Sequence, residues 1–117
     1  MDKRQVVRII KNFAQALKAH GILLTMIKSF KCRDTEAMFN GKRVERFIGI
    51  QSAAMRKLAL LNVAGRIEDL RVPPGDRLEA LKGKRQGQWS VRINEQWRIC
   101  FRFVAGNALD VEIVDYH

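Results

Sequence analysis

The chain offers very little with which to hold a metal ion. Cys32 and Cys100 are its only cysteines and His20 and His117 its only histidines. The two thiols stand far apart, with neither CxxC spacing nor a neighbouring histidine pair, whereas a zinc site gathers about four ligands from local pairs. No metal and no cofactor are expected, and both cysteines read as small apolar residues of a reducing compartment. Long apolar runs are missing as well. No stretch approaches the ~20 residues that span a bilayer. Ile22-Leu23-Leu24 is too short for the hydrophobic region of a signal peptide, and no small-residue cleavage site follows it. A cytoplasmic protein without membrane attachment is expected.

Acidic residues are in deficit. Twelve Asp and Glu face 22 Lys and Arg, for a formal net charge of +10 and a pI near 10.3. Such a surplus speaks to partners rather than to fold, and nucleic acid comes before membrane where no lipid anchor is visible. What is present otherwise suits a globular protein: 117 residues, 47% of them hydrophobic, support one modest core. No internal repeat or low-complexity segment occurs.

Residues 1–25 form a separate piece. Val6, Ile9, Ile10, Phe13 and Leu17 recur at helical spacing among Lys3, Arg4, Arg8, Lys11 and Lys18, and Gly21 ends the pattern. This amphipathic helix reads as a packed appendage or as an in-frame extension upstream of Met26, ahead of a membrane role. Residues 26–117 read as the main domain. Met26-Ile27-Lys28-Ser29-Phe30 alternates like a short strand. Asp34 or Thr35 is placed to cap a short helix through Phe39, and Asn40-Gly41 follows as punctuation. A longer helix is expected next, with Val44, Phe47, Ile48, Met55, Leu58 and Leu61 on one apolar face and Gly65 just past its end. Pro73-Pro74-Gly75-Asp76 marks a loop.

Beyond that loop the period becomes two. Trp89, Val91 and Ile93 alternate with Ser90, Arg92 and Asn94; Trp97, Ile99, Phe101 and Phe103 alternate with Arg98, Cys100 and Arg102. Asn94-Glu95-Gln96 and Gly106-Asn107 are the expected turns. Leu109, Val111 and Ile113 lead into the terminal Asp115-Tyr116-His117. The result is an α+β fold in which a strand and helices pack on a small antiparallel meander, one sheet face apolar and the other bearing arginines.

Between Arg77 and Arg102 the cations Arg77, Lys82, Lys84, Arg85, Arg92, Arg98 and Arg102 outnumber Glu79 and Glu95. An arginine-bearing sheet face suits RNA, because the planar guanidinium grips phosphate and stacks on unpaired bases. The same parity also suits a solvated face with arginine stems lying over apolar neighbours. The terminal Asp115-Tyr116-His117 adds three proton-handling groups. Metal-free RNA cleavage needs a base for the 2′-hydroxyl, cations for the crowded phosphate and an acid for the leaving 5′-oxygen. Histidine is best matched to this near neutral pH. Read alone, however, a terminal tripeptide of this kind is as compatible with a frayed end.

Taken together, Met26-Ile27-Lys28-Ser29-Phe30, Arg77-Leu78-Glu79-Ala80-Leu81-Lys82-Gly83, Gly87-Gln88-Trp89-Ser90-Val91-Arg92-Ile93-Asn94, Gln96-Trp97-Arg98-Ile99 and Asp115-Tyr116-His117 resemble, in order, the HigB toxins of the RelE/ParE superfamily. Residues 1–25 lie outside the resemblance. It implies a RelE-like fold and a toxin of a type II toxin–antitoxin pair that cleaves mRNA in the ribosomal A site without metal. It also implies a helix-turn-helix antitoxin of the HigA kind, with which one toxin unit joins a hetero-oligomer. By the same resemblance Asp115 and His117 take acid/base roles, Tyr116 orients or stacks on the substrate, and Lys82 and Arg98 stabilise phosphate. Arg92, by strand parity, joins Arg77, Lys84, Arg85 and Arg102 as an RNA-binding residue. Glu79 stands where several family members carry a catalytic histidine, so it reads either as a general base or as a surface residue. A DNA gyrase poison of the ParE branch and a non-catalytic basic RNA- or ribosome-binding module are the competing readings.

Overall fold

The computed structural model describes residues 27–71 and 74–116, together with Gln5; most of the expected N-terminal helix, Met26, Pro73 and His117 lie outside the described residues. Two α-helices, α1 (Arg33–Phe39) and α2 (Gln51–Val63), pack against one face of a four-stranded sheet. The strands are β1 (Glu79–Ala80), β2 (Trp89–Arg92), β3 (Trp97–Val104) and β4 (Asn107–Asp115). All pairs are antiparallel and neighbours in space follow chain order. The α+β meander therefore stands. Among the described residues no helix is long and apolar enough to cross a membrane.

The core forms where the helical and strand periods meet. Met38, Phe39, Phe47, Ile50, Ala54, Met55, Leu58 and Leu61 come from the helical half and Val91, Ile99, Phe101, Val111 and Ile113 from the sheet. Phe47 and Trp97 join the two layers edge to face, with centroids 5.6 Å apart. The expected single helix from Val44 is in fact two segments: a 3-10 helix over Glu45–Ile50, then α2. Ile50 breaks the regular turn with φ −117° and ψ 2°. The tighter winding changes which residues share a face, so Phe47 and Ile50 are buried while Ile48 turns outward, 43% exposed. Helix α1 starts earlier than the capping pattern suggests, with Cys32 as its N-cap. Thr35 is thereby drawn into the helix and buried.

The segment 27–31 runs parallel to β4 without becoming a regular strand. It makes two isolated bridges, Ile27 with Ala108 and Phe30 with Val111, and hydrogen bonds from Lys28 N to Ala108 O and from Lys31 N to Val111 O. The reason lies in β4. Asp110 adopts φ +53°, and the β3–β4 register shifts between Cys100 and Arg102, the signature of a β-bulge. The bulge overturns the simple alternation of Leu109, Val111 and Ile113: Ala108 joins Val111 and Ile113 in the core while Leu109 is displaced. The β3–β4 turn is Ala105-Gly106, not Gly106-Asn107. Both turn residues have positive φ, +51° and +78°, the geometry of a two-residue hairpin turn, and Asn107 opens β4 opposite Val104.

Side chains satisfy backbone amides at the bulge and along this edge of the sheet. Ser29 Oγ accepts Asp110 N–H at 2.8 Å, Thr35 Oγ1 accepts Ile113 N–H at 3.0 Å, and Asn62 Oδ1 accepts Ile27 N–H at 3.0 Å. Buried amides of this kind need partners, because an orphaned one is destabilising. Thr35→Val keeps the shape and deletes only the acceptor for Ile113. It is expected to lower stability by about 1–3 kcal/mol, read as a reduced urea midpoint at an unchanged m-value.

Candidate active site

The sheet face turned away from the helices collects one polar row after another. Cross-strand partners point to the same side, so the register places Glu79, Ser90 and Cys100 with Glu112, and Arg92 with Arg98 and Val114. The expected open arginine platform is only partly realised. Ser90 and Cys100 are fully buried, and Arg98 is 8% exposed. A buried guanidinium must have its N–H groups occupied. Arg98 donates from Nε to Ser90 Oγ at 2.8 Å and from Nη2 to the Arg77 carbonyl at 2.7 Å. Its Nη2 lies 4.0 Å from Glu79 Oε1, and its guanidinium stands 5.6 Å from the centre of the Tyr116 ring, within cation–π range.

Arg77 reaches that carbonyl position through a left-handed backbone, φ +47°, a conformation that costs a non-glycine residue about 1–2 kcal/mol. Around this centre Arg77, Arg92, Asn94, Glu95, Arg98 and Tyr116 line an open cleft of about 270 Å³. Arg92 and Arg98 are direct cross-strand partners, and like charges so placed repel. Glu95, 4.0 Å from Arg92, is almost fully exposed and offsets little of that repulsion. Phosphate bound in the cleft would relieve it, and the Tyr116 ring, 43% exposed, offers a face to an unpaired base.

The other candidate residues are dispersed. Glu79 is at the edge, on β1. Asp115 pairs in register with Trp97, which puts it on the opposite side of the sheet from Arg98, where it accepts a hydrogen bond from Gln96 Nε2 at 3.1 Å. The terminal residues thus do not act from one side: Tyr116 turns to Arg98, Asp115 away from it, and His117 lies outside the described residues. Lys82 and Lys84 are exposed at the Gly83–Arg85 turn and do not line the cleft. Arg85 is tied at 3.0 Å to both Glu112 and Gln88, and the Glu112 hydrogen bond raises its already high pKa. Arg102 sits 3.6 Å from Asp110 at the bulge.

Residues 28–117 match the family model described as the RelE-like toxin of type II toxin–antitoxin system HigB. The chain belongs to the HigB toxin family. Toxin HigB-1 of Vibrio cholerae is 39% identical over 87 residues, 73% of this chain and 92% of that protein. Endoribonuclease HigB of Proteus vulgaris is 34% identical over 94 residues, 79% of this chain and the whole of that protein. An uncharacterised Haemophilus influenzae protein shares 38% over 48 residues, 41% of this chain and 48% of its own length. In this HigB family member, sequence reasoning missed Ser90 and the Arg77 carbonyl as the acceptors that aim Arg98. Ser90 left one faint signal, a small polar residue between Trp89 and Val91 on the arginine side. The carbonyl left none, because a backbone acceptor has no residue type.

The buried polar face has a chemical consequence. Burial pushes the Cys100 thiol above its ordinary pKa. Burial also acts on Cys32, but hydrogen bonds from Thr35 and the Asp34 backbone, with the Arg46 guanidinium 3.2 Å from its sulfur, leave that pKa lowered. Since thiolate is the reactive form, iodoacetamide on the folded protein should label Cys32 alone, from a lower pH than an ordinary thiol. Cys100 should react only on unfolding. Mass mapping of the labelled peptides checks this, and rapid labelling of native Cys100 would show the sheet face to be open.

Proposed function

We propose that this chain is a ribosome-dependent, metal-independent mRNA endoribonuclease that acts in the cytoplasm as the toxin of a type II toxin–antitoxin pair. The family is that of a toxin, and the Proteus vulgaris relative is named an endoribonuclease. The observation that carries the reading is Arg98, held by Ser90 and the Arg77 carbonyl and set beside Arg77, Arg92 and Tyr116 in one open cleft. Charge stabilisation by a group already oriented before reaction is the largest single contribution in many enzymes.

In this reading mRNA is presented in the ribosomal A site. Tyr116 stacks on an unpaired base and Arg77 and Arg92 hold its flanking phosphates. Arg98, with Lys82 drawn in when substrate binds, stabilises the charge that develops on the scissile phosphate. The 2′-hydroxyl attacks as a base removes its proton, and an acid protonates the leaving 5′-oxygen. His117 carries proton transfer from the strand end, with Glu79, 4.0 Å from Arg98, as the second proton-handling group, while Asp115, facing away from Arg98, supports the strand end through Gln96. Lys84, Arg85 and Arg102 lie outside the cleft and guide the RNA. The partner that silences the toxin is a helix-turn-helix antitoxin of the HigA kind.

Cleavage on programmed ribosomes tests the assignment. Cutting should require ribosomes and persist in a chelator under conditions that keep ribosomes intact. His117→Ala, and a chain ending at Tyr116, should retain the fold by circular dichroism and cleave about 10²–10⁴-fold more slowly, the usual worth of general acid–base catalysis. Full loss of cutting in the chelator would refute the metal-free mechanism. Parental rates in both variants would remove His117 from the chemistry.

A further inference from the structure

A largely buried ion pair adjoins the cleft residue Arg77 in the chain. Lys57, on α2, donates to Asp76 Oδ1. Asp76 is 5% exposed, ends the 3-10 turn Pro74–Asp76, and directly precedes Arg77. On the far side of Arg77 the chain is fixed again, because Leu78 packs against the core and Glu79 pairs with Ser90. Arg77, with φ +47°, is thus held between two anchored points, and its carbonyl is the acceptor for Arg98 Nη2.

We propose that Lys57 and Asp76 are positioning residues for the reaction. Through the loop they hold the Arg77 carbonyl where it aims the Arg98 guanidinium. This rests on the reading of the cleft as a ribonuclease site. Neither Lys57 nor Asp76 lines the cleft, so the effect of the pair passes through Asp76, Arg77 and Arg98 in sequence. An ion pair suits this task better than an apolar contact. Replacing a buried pair by apolar residues of similar volume is often neutral for stability, but an apolar contact has no direction to impart. Stability and positioning can therefore be separated.

Tyr116 is the only tyrosine of the chain and its ring stands 5.6 Å from the Arg98 guanidinium. Biosynthetic 3-fluorotyrosine thus places a single ¹⁹F reporter at the end of the chain of contacts. In Lys57→Met/Asp76→Leu the thermal midpoint should stay near the parental value while the ¹⁹F resonance moves. The cleavage kcat on programmed ribosomes should fall about 10²-fold, the scale of a ~1 Å misplacement, with KM little changed. Lys57→Arg, which keeps the pair, should restore both resonance and kcat. If the double variant does not fold, Asp76→Ala carries the same comparison, since it leaves Lys57 a path to water. A folded variant whose resonance stays at the parental position, or whose resonance moves at parental kcat, overturns the proposal. If the parental protein does not cleave, the ribonuclease reading fails by itself, and the ¹⁹F comparison still decides whether the pair sets Arg98.

Discussion

The burial of one guanidinium is the constraint on which the rest of the molecule turns. Arg98 sits near the start of β3 with little water available to solvate it, and an unpaired charge there would be strongly destabilising. Each neighbour is selected by that requirement. Ser90 presents a hydroxyl, Arg77 bends its backbone into the left-handed region to offer a carbonyl, Glu79 brings a negative charge within 4.0 Å, and Tyr116 covers the edge. The same requirement gives function its opening. A cation fixed by neutral acceptors keeps most of its charge for a ligand, whereas one locked to a close carboxylate does not.

Architecture serves that centre from both ends. The helices press one face of the sheet into a core, leaving the other face to carry polar groups. The bulge at Asp110 resets the phase of β4, so that Ala108, Val111 and Ile113 face the core and Glu112 and Val114 face the other way. Tyr116, continuing that alternation, is delivered to Arg98. Without the bulge either the start or the end of β4 would present the wrong side, since a shift of one residue exchanges the faces of a strand. Ser29 and Thr35, contributed from the far end of the chain, hold the bulge in place.

This division explains what was readable in the sequence. The meander was legible because Trp89-Val91-Ile93 and Trp97-Ile99-Phe101 keep a strict period of two, and the first hairpin because Asn94 caps its own turn, its side chain accepting the amides of Gln96 and Trp97. Arg98, Arg92, Arg77 and Tyr116 were legible as site candidates from parity and from family resemblance. Other features had no local signal. Nothing in Leu109-Asp110-Val111 announces a bulge, because its cause is Ser29, 81 residues away. The split of the long helix at Ile50 preserves the apolar residues and changes only their angles, which composition does not record. The opposite facing of Asp115 and Tyr116 follows from the pairing of Asp115 with Trp97 and of Val114 with Arg98, so three adjacent proton-handling residues looked like one cluster when only register could separate them. The Lys57–Asp76 pair joins a helix to a loop, and neither residue stands out from the charged background of a +10 chain.

In the proposed chemistry Arg98 acts through its direction, not through its charge alone. Lysine keeps the charge but cannot donate to Ser90 and to the Arg77 carbonyl from a rigid planar fork. The decisive measurement is the single-turnover cleavage rate of Arg98→Lys on programmed ribosomes, with folding verified by circular dichroism. The expected result is a folded protein slowed about 10²–10³-fold, the scale of losing one preorganised stabilising group. A folded Arg98→Lys protein that cleaves at the parental rate would contradict it, because charge at that position would then be sufficient.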